Sequence, residues 1–488
     1  MMKPYLPAAL IVAAALAAAP TARPAAAWIS EPLQSSTQQQ PPPTQSQQPT
    51  DFRLSLVGAG TQPKVGLPDF TVEGGDKDLA DATMTLVNVL WDDLDFEKEY
   101  YLIPRKSTAS IPVVADAKSL PFDRWKEIGA EYVIVGTSKR IGDNLDIEFR
   151  LVGVRDDIQG KEVFSWHYGG SGCALKNARF CAHFISDDFH KKTRGVDGVA
   201  RTKLAFSSDR DGARMTGRQI SGPGPGKEVY IADYDGANQM PVTANRNLNL
   251  APAWSPDARD LAYTSWVSGY MDVYVRSLFD AKPPTRPAGS DNNVENGLAA
   301  WSPDGSKLAF ASTKSGDWDI WVVNRDGTGL HNITNYPKAI DNAPTWSPTG
   351  AQIAFTSDRT GSSSNQIYIV GADGVGLRQI TFGCQGCDRP TWSSLNVIAY
   401  TAGAGPGHDI YAVDLNNNNR TIQITDGQGS NESPTFAPNG RHLAFVTTRW
   451  GKEQVATIAI TGKKDTLKRV TEVGNNRYPN WSHTPGGQ

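Results

Sequence analysis

Cysteine, histidine and long apolar runs are all scarce in this chain, and each shortage narrows the functions open to it. The 488 residues contain four Cys and seven His. The cysteines lie as two close pairs, Cys173 with Cys181 and Cys384 with Cys387. That spacing suits short disulfide staples in an oxidising compartment, worth about 2–3 kcal/mol each on the chain-entropy account. A zinc site at Cys384-Gln385-Gly386-Cys387 would need further ligands, and no His or second Cys pair stands nearby. His331, His408, His442 and His483 fall at four different places in the repeat described below, so symmetry does not gather them around a metal. A hydrolase elbow of the G-x-S-x-G type is missing; Gly169-Gly170-Ser171-Gly172 lacks its spacing. Gly222-Pro223-Gly224-Pro225-Gly226 lacks the Lys and helix of a phosphate cradle. A formal net charge of -3 offers no overall attraction for nucleic acid or anionic membrane. No cofactor or metal is expected.

The start of the chain reads as an export signal over residues 1–27: Lys3, an apolar stretch to about Ala19, then small Ala25 and Ala27 before Trp28. No later segment approaches the roughly 20 apolar residues that span a bilayer. Residues 28–50 form a Gln/Pro-rich linker with almost nothing apolar from which to build a core. An exported protein with no spanning segment in its mature form is expected.

Glycine and proline, by contrast, are plentiful, at 46 and 32 residues, as befits a turn-rich β protein. Their placement is periodic. Trp254-Ser-Pro-Asp, Trp301-Ser-Pro-Asp-Gly, Trp346-Ser-Pro-Thr-Gly, Trp392-Ser-Ser, Phe436-Ala-Pro-Asn-Gly and Trp481-Ser recur at spacings of 44 to 47 residues. Each unit carries four strand signals; the clearest copy has Trp301 ending the innermost strand, a type I turn at Ser302-Pro303-Asp304-Gly305, then KLAFA, DIWVV and a short outer strand ending Ile333-Thr334. In the unit starting at Trp254, Arg286-Pro287 stands where the outer strand belongs. These strands are apolar on both faces, as blades stacked between neighbours require, so the aromatic anchors are packing residues first. Lys203–Phe206 is a second strand with no anchor before it, and Trp481 is an innermost strand with no blade after it. Together they complete one blade, so residues 198–488 are expected to form a closed six-bladed β-propeller, the last blade joining 203–243 to a strand at 479–483.

Between residues 51 and 197 the period vanishes. Strands are expected at Phe52–Val57, Lys64–Leu67, Tyr101–Ile103, Tyr132–Gly136, Asp146–Val152 and Val163–Tyr168, with helices at Leu79–Leu94, Phe122–Ile128 and Leu175–Lys192. This pattern predicts a compact α/β domain with a mixed sheet.

The order of these parts resembles the TolB family of the Tol-Pal system. The likeness rests on Phe122-Asp-Arg-Trp-Lys-Glu-Ile-Gly-Ala130, the following YVIVG, the strand Ile147–Val154, Ala182-His-Phe-Ile-Ser-Asp187 leading to LAFSSDR, and the propeller units. The repeat alone is less specific than the two-domain order, because other propellers share similar units. The resemblance implies a non-enzymatic periplasmic adaptor, expected to be monomeric, that links a Pal-type outer-membrane lipoprotein with a TolA-type inner-membrane protein and supports envelope integrity and constriction at division. It places the lipoprotein on the loops before the innermost strands: Asn249, Glu295 with Asn296, Asp341 with Asn342, Asp388 with Arg389, Asn431 with Glu432, and Arg477. Independently, five of the six units place Pro two residues before the aromatic anchor, after a polar cluster, so similar loops converge on one end of the ring. The Gln/Pro-rich start departs from the family, leaving Trp28–Leu33 or Asp51–Leu56 as segments that would meet TolA. A propeller module for glycan or another envelope protein, or a propeller hydrolase or lyase, are the competing readings.

Overall fold

The structure, a computed structural model, describes residues 62–169, 171–211, 226–289, 293–361, 364–460 and 466–485. The expected signal, the linker and the strand at Phe52–Val57 lie outside these residues. The chain divides into two compact units between Arg201 and Thr202. Residues 199–201 stay with the first unit, rather than joining the second after residue 197, because their backbone is tied down there. The Val199 N–H donates to Glu97 (2.8 Å), and the Ala200 N–H and Arg201 Nε donate to Asp187, each at 2.8 Å.

The first unit is an α/β layer structure on a mixed sheet. Its main strand order is Tyr101–Leu102, Lys64–Gly66, Tyr132–Ile141, Asn144–Gly153, Glu162–Tyr168, parallel on the first side and antiparallel on the second. Thr71–Val72 adds a short parallel pairing that has no strand pattern of its own in the sequence. The central YVIVG run is continuous because both faces are covered: Ile134 packs with the helices Lys77–Glu97 and Ala178–Arg194, and Val133 and Val135 pack with Trp125. The second helix starts at Ala178, later than the expected Leu175, after a 3-10 turn. Cys173 and Cys181 are disulfide-bonded, fixing the preceding 3-10 turn, Ser171–Cys173, to the helix, with a Cα–Cα distance of 5.1 Å.

The second unit is a six-bladed propeller. Five blades have four strands, and the blade of Asn249–Trp254, Asp260–Ser265 and Asp272–Ser277 has three. There the outer strand shrinks to a single bridge, Val275 with Thr285, and the residues after it are Arg286-Pro287. Arg286 Nε instead bonds the carboxylate of Asp272 at 2.5 Å. Ring closure comes from Asn476–Trp481, which pairs antiparallel with Lys203–Ser208 and begins before the expected residue 479. The Trp481 indole N–H reaches the Thr202 hydroxyl at 2.7 Å, so the two ends of the ring grip one another by side chain as well as by backbone.

Blades are joined by a polar connection that recurs around the ring. The third strand of each blade carries an acid or amide at or near its start: Glu228, Asp272, Asp319, Gln366, Asp409 or Gln454. In five of the blades a Thr hydroxyl from the outer-strand region donates to this group, as Thr425 does to Asp409 (2.6 Å) and Thr471 to Gln454 (2.8 Å). The same hydroxyls accept the Ile410 and Val455 N–H groups, each at 2.9 Å. An Asn that begins the next blade's innermost strand completes the connection. Asn249 donates to Glu228 (3.0 Å), Asn296 to Asp272 (3.0 Å), Asn431 to Asp409 (2.8 Å) and Asn476 to Gln454 (3.1 Å).

Burial pushes the Glu228 carboxyl up from the ordinary Glu value, against hydrogen bonds from Thr243 and the Arg246 N–H. The folded state therefore favours the protonated acid; its contribution is full below the ordinary Glu pKa and declines as pH rises through the folded value. Gln366 and Gln454 show that a neutral amide serves at this position. Measured by thermal or urea unfolding, the stability of Glu228→Gln relative to wild type should improve as pH goes from 4 to 7.5, whatever fixed cost the change carries. A relative stability that is flat or worsens over that interval contradicts the account.

Candidate functional site

The innermost strands all run from one face of the ring toward their aromatic anchors, so equivalent residues form rings about the axis. Five residues before each anchor stand Asn249, Asn296, Asp341, Cys387, Asn431 and Asn476, all buried. Four of these Asn side chains make the connections just described. Asp341 instead pairs with Arg359 at 2.6 Å, whose guanidinium stacks among Tyr336, Phe355 and Tyr368 at 5.0–5.1 Å from their ring centres. Burial pushes the Asp341 carboxyl up from the ordinary Asp value, opposed by Ser357 and Arg359. In the fourth blade Cys387 takes the position and is disulfide-bonded to Cys384, while Gln366 of the preceding blade donates to the Cys384 carbonyl at 2.9 Å. Thus Asn249, Asn296, Asp341 and Asn431, read in the sequence as loop residues facing a partner, lie inside the ring and are engaged in holding it.

One residue further along, the side chains return toward solvent. Asn342, Asp388, Glu432 and Arg477 are half-buried, and Glu295, just ahead of its strand, is exposed. Glu432 accepts from Ser430 at 2.8 Å and lies 3.2 Å from His408, and Arg477 makes a two-pronged ion pair with Glu453. Asp388 accepts from Thr356 (3.1 Å) and from the Arg389 N–H (2.8 Å).

The next ring was not visible in the sequence. Ala251, Leu298, Ala343, Arg389, Ser433 and Tyr478 all have φ between 48° and 57°, and the pairing of every innermost strand is irregular there. A non-Gly residue in this region carries strain, and six equivalent copies mark a bulge built into the repeat. These six residues line a central cavity of about 460 Å³, which continues past the prolines and aromatic anchors toward His483. Their one shared sequence mark is a place three residues before the anchor.

Trp254, Trp301, Trp346 and Trp481 are buried, and the Trp301 and Trp346 indoles donate to the Ala253 and Ala300 carbonyls of the preceding blade at 3.2 and 3.1 Å. The anchors hold blade to blade while also forming the cavity wall.

Known proteins match this arrangement over both units. The family described as the TolB beta propeller domain matches residues 190–485, and the TolB amino-terminal domain matches residues 56–159. The Tol-Pal system protein TolB of Bordetella pertussis is 31% identical over 434 residues, covering 88% of this chain and 90% of that protein. The protein of the same name from Desulfosudis oleivorans is 29% identical over 218 residues, covering 44% of this chain and less than half of its own length. The crystal structure of TolB from Acinetobacter baumannii superposes with a TM-score of 0.69 at 21% identity, over 87% of this chain and 97% of that one.

The two neighbouring rings should respond differently to truncation. Asn431→Ala removes a buried donor to Asp409 and should cost about 1–3 kcal/mol in urea unfolding. Glu295→Ala, on the exposed side, should change stability by less than about 0.5 kcal/mol.

Proposed function

The chain belongs to the TolB family, and from that premise we propose that it is a non-catalytic periplasmic adaptor of the Tol-Pal system, docking a Pal-type lipoprotein on the propeller face where the innermost strands begin. The observation that carries this reading is the split between neighbouring positions on that face. Buried Asn249, Asn296, Asp341 and Asn431 hold the ring rigid, and Glu295, Asn342, Asp388, Arg389, Glu432 and Arg477 offer a mixed polar rim around a cavity. A rigid concave face with polar groups set on strand ends suits recognition of a folded protein with little loss of conformational entropy. The rim residues are the contacts in this proposal, and the buried ones support them. The TolA-type partner would meet the segment preceding the first unit, at Trp28–Leu33 or Asp51–Leu56, and the linkage of the two membranes would maintain the envelope during constriction.

Capture from detergent-solubilised envelope by the mature chain should recover a lipoprotein of the Pal type. The double variant Asn342→Lys/Glu432→Lys, with its unfolding midpoint unchanged, should lower recovery by about tenfold or more, a loss typical of interface contacts. Undiminished capture by that variant would remove this face as the docking site. A chain starting at residue 62 should lose TolA-type binding while keeping the lipoprotein.

A further inference from the structure

Arg389 stands out on the propeller. Among the described residues lining the central cavity it is the one permanently charged side chain, in a wall otherwise made of Ala, Leu, Pro, Ser, Thr, Asn, Tyr, Trp, Phe and one His. It occupies the bulge ring with φ 52°, and its guanidinium carbon sits 4.2 Å from the centre of the Tyr478 ring. Tyr478 is the equivalent residue two blades away, so Arg389 reaches past Ser433 along the cavity mouth to find it. The side chain is only 24% exposed.

A guanidinium carries five N–H donors in a planar fork that matches a carboxylate. Among the described residues the Arg389 guanidinium makes no hydrogen bond. Its nearest carboxylate oxygen, Asp388 Oδ2, is 3.8 Å from Nε, and the other oxygen of Asp388 is occupied by Thr356 and by the Arg389 backbone N–H. Stacking on an aromatic face fixes the plane of the guanidinium and leaves its edge of donors open to an incoming acceptor. Arg325, Arg359 and Arg477, which also serve the propeller, each have a carboxylate at hydrogen-bond distance, whereas Arg389 has an aromatic support and a cavity.

We infer that Arg389 receives a carboxylate side chain that the docked protein inserts into the cavity mouth, with Tyr478 holding the guanidinium in position to bind it. The pairing is charge-assisted and can be two-pronged, giving register to an interface whose rim is otherwise polar and mixed in sign. The inference rests on the adaptor reading above and names the chemistry that the partner must present.

Two measurements on the mature protein separate the inference from the reading beneath it. Crystals soaked in sodium bromide should show an anomalous peak at the Arg389 guanidinium that is missing from Arg389→Met. In calorimetry with the soluble domain of the Pal-type lipoprotein, Arg389→Met should weaken binding by about ten- to a hundredfold, Arg389→Lys should recover part of it, and the wild-type affinity should fall as salt is raised. Both variants should unfold at the wild-type midpoint. A wild-type protein that does not bind the lipoprotein domain defeats the adaptor reading. Wild-type binding that Arg389→Met leaves within twofold overturns the inserted carboxylate, and bromide at Arg389 in that case assigns the site to a free anion. No bromide at Arg389 overturns the anion site itself.

Discussion

The buried polar connection between blades is the constraint on which the rest of the propeller depends. A four-stranded blade that is apolar on both faces has no intrinsic orientation with respect to its neighbour, and hydrophobic contact alone would let it slide. At four of the six boundaries the acid or amide near the start of the third strand is held by an Asn of the next blade, at three of them with a Thr of its own blade as well, so these blades set the height at which the next one begins. Leaving either partner unpaired inside the ring costs more than the bond contributes, which makes the arrangement specific as well as stabilising. The strand Asn476–Trp481 joins the last such connection, to Gln454, and also pairs with the strand that begins at Lys203.

That constraint also shapes the binding face. Because the residue five before each anchor is buried in the ring, the next position comes toward the rim, and the bulge after it turns a third residue toward the axis. Three successive positions thus have three tasks: holding the ring, offering a rim, and lining the cavity. The fourth blade departs from the scheme, with Cys387 bonded to Cys384 at the holding position, yet its next two residues, Asp388 and Arg389, keep the same places. Where Thr is missing from the three-stranded blade, Arg286 neutralises Asp272 instead. The tasks persist through changes of residue type.

Much of the fold was legible in the sequence. Trp301-Ser-Pro-Asp-Gly and its copies announce themselves because a large aromatic and a tight turn leave few alternatives, and the closure follows from Lys203 lacking an anchor while Trp481 lacks a blade. The missing outer strand was marked by Arg286-Pro287. In the first unit Tyr132–Ile141 was visible from its apolar run, whereas Thr71–Val72 pairs through only two residues, too few for a pattern. The face was half legible. Asn249, Asn296, Asp341 and Asn431 look like loop residues because polar side chains between a turn and an apolar run are usually solvated; the partners of the three Asn lie about twenty residues upstream, across a blade boundary, and that of Asp341, Arg359, lies downstream in its own blade. A signal was nevertheless present: Glu228, Asp272, Asp319, Gln366, Asp409 and Gln454 each precede Ile or Val at the same point of the period. The bulge residues share no side-chain chemistry, so their common conformation leaves no mark on residue type.

If these connections make the ring one cooperative body, its most protected amides should open together. Hydrogen exchange resolved to single residues should therefore give the N–H groups of Val229, Ile320, Ile367, Ile410 and Val455, each bonded to the Thr hydroxyl of its own blade, one common opening free energy equal to that of global unfolding. Opening of the Val229 amide, in the blade closed by Asn476–Trp481, at a free energy well below the other four would show that the ring unlatches at its seam, and would contradict the account.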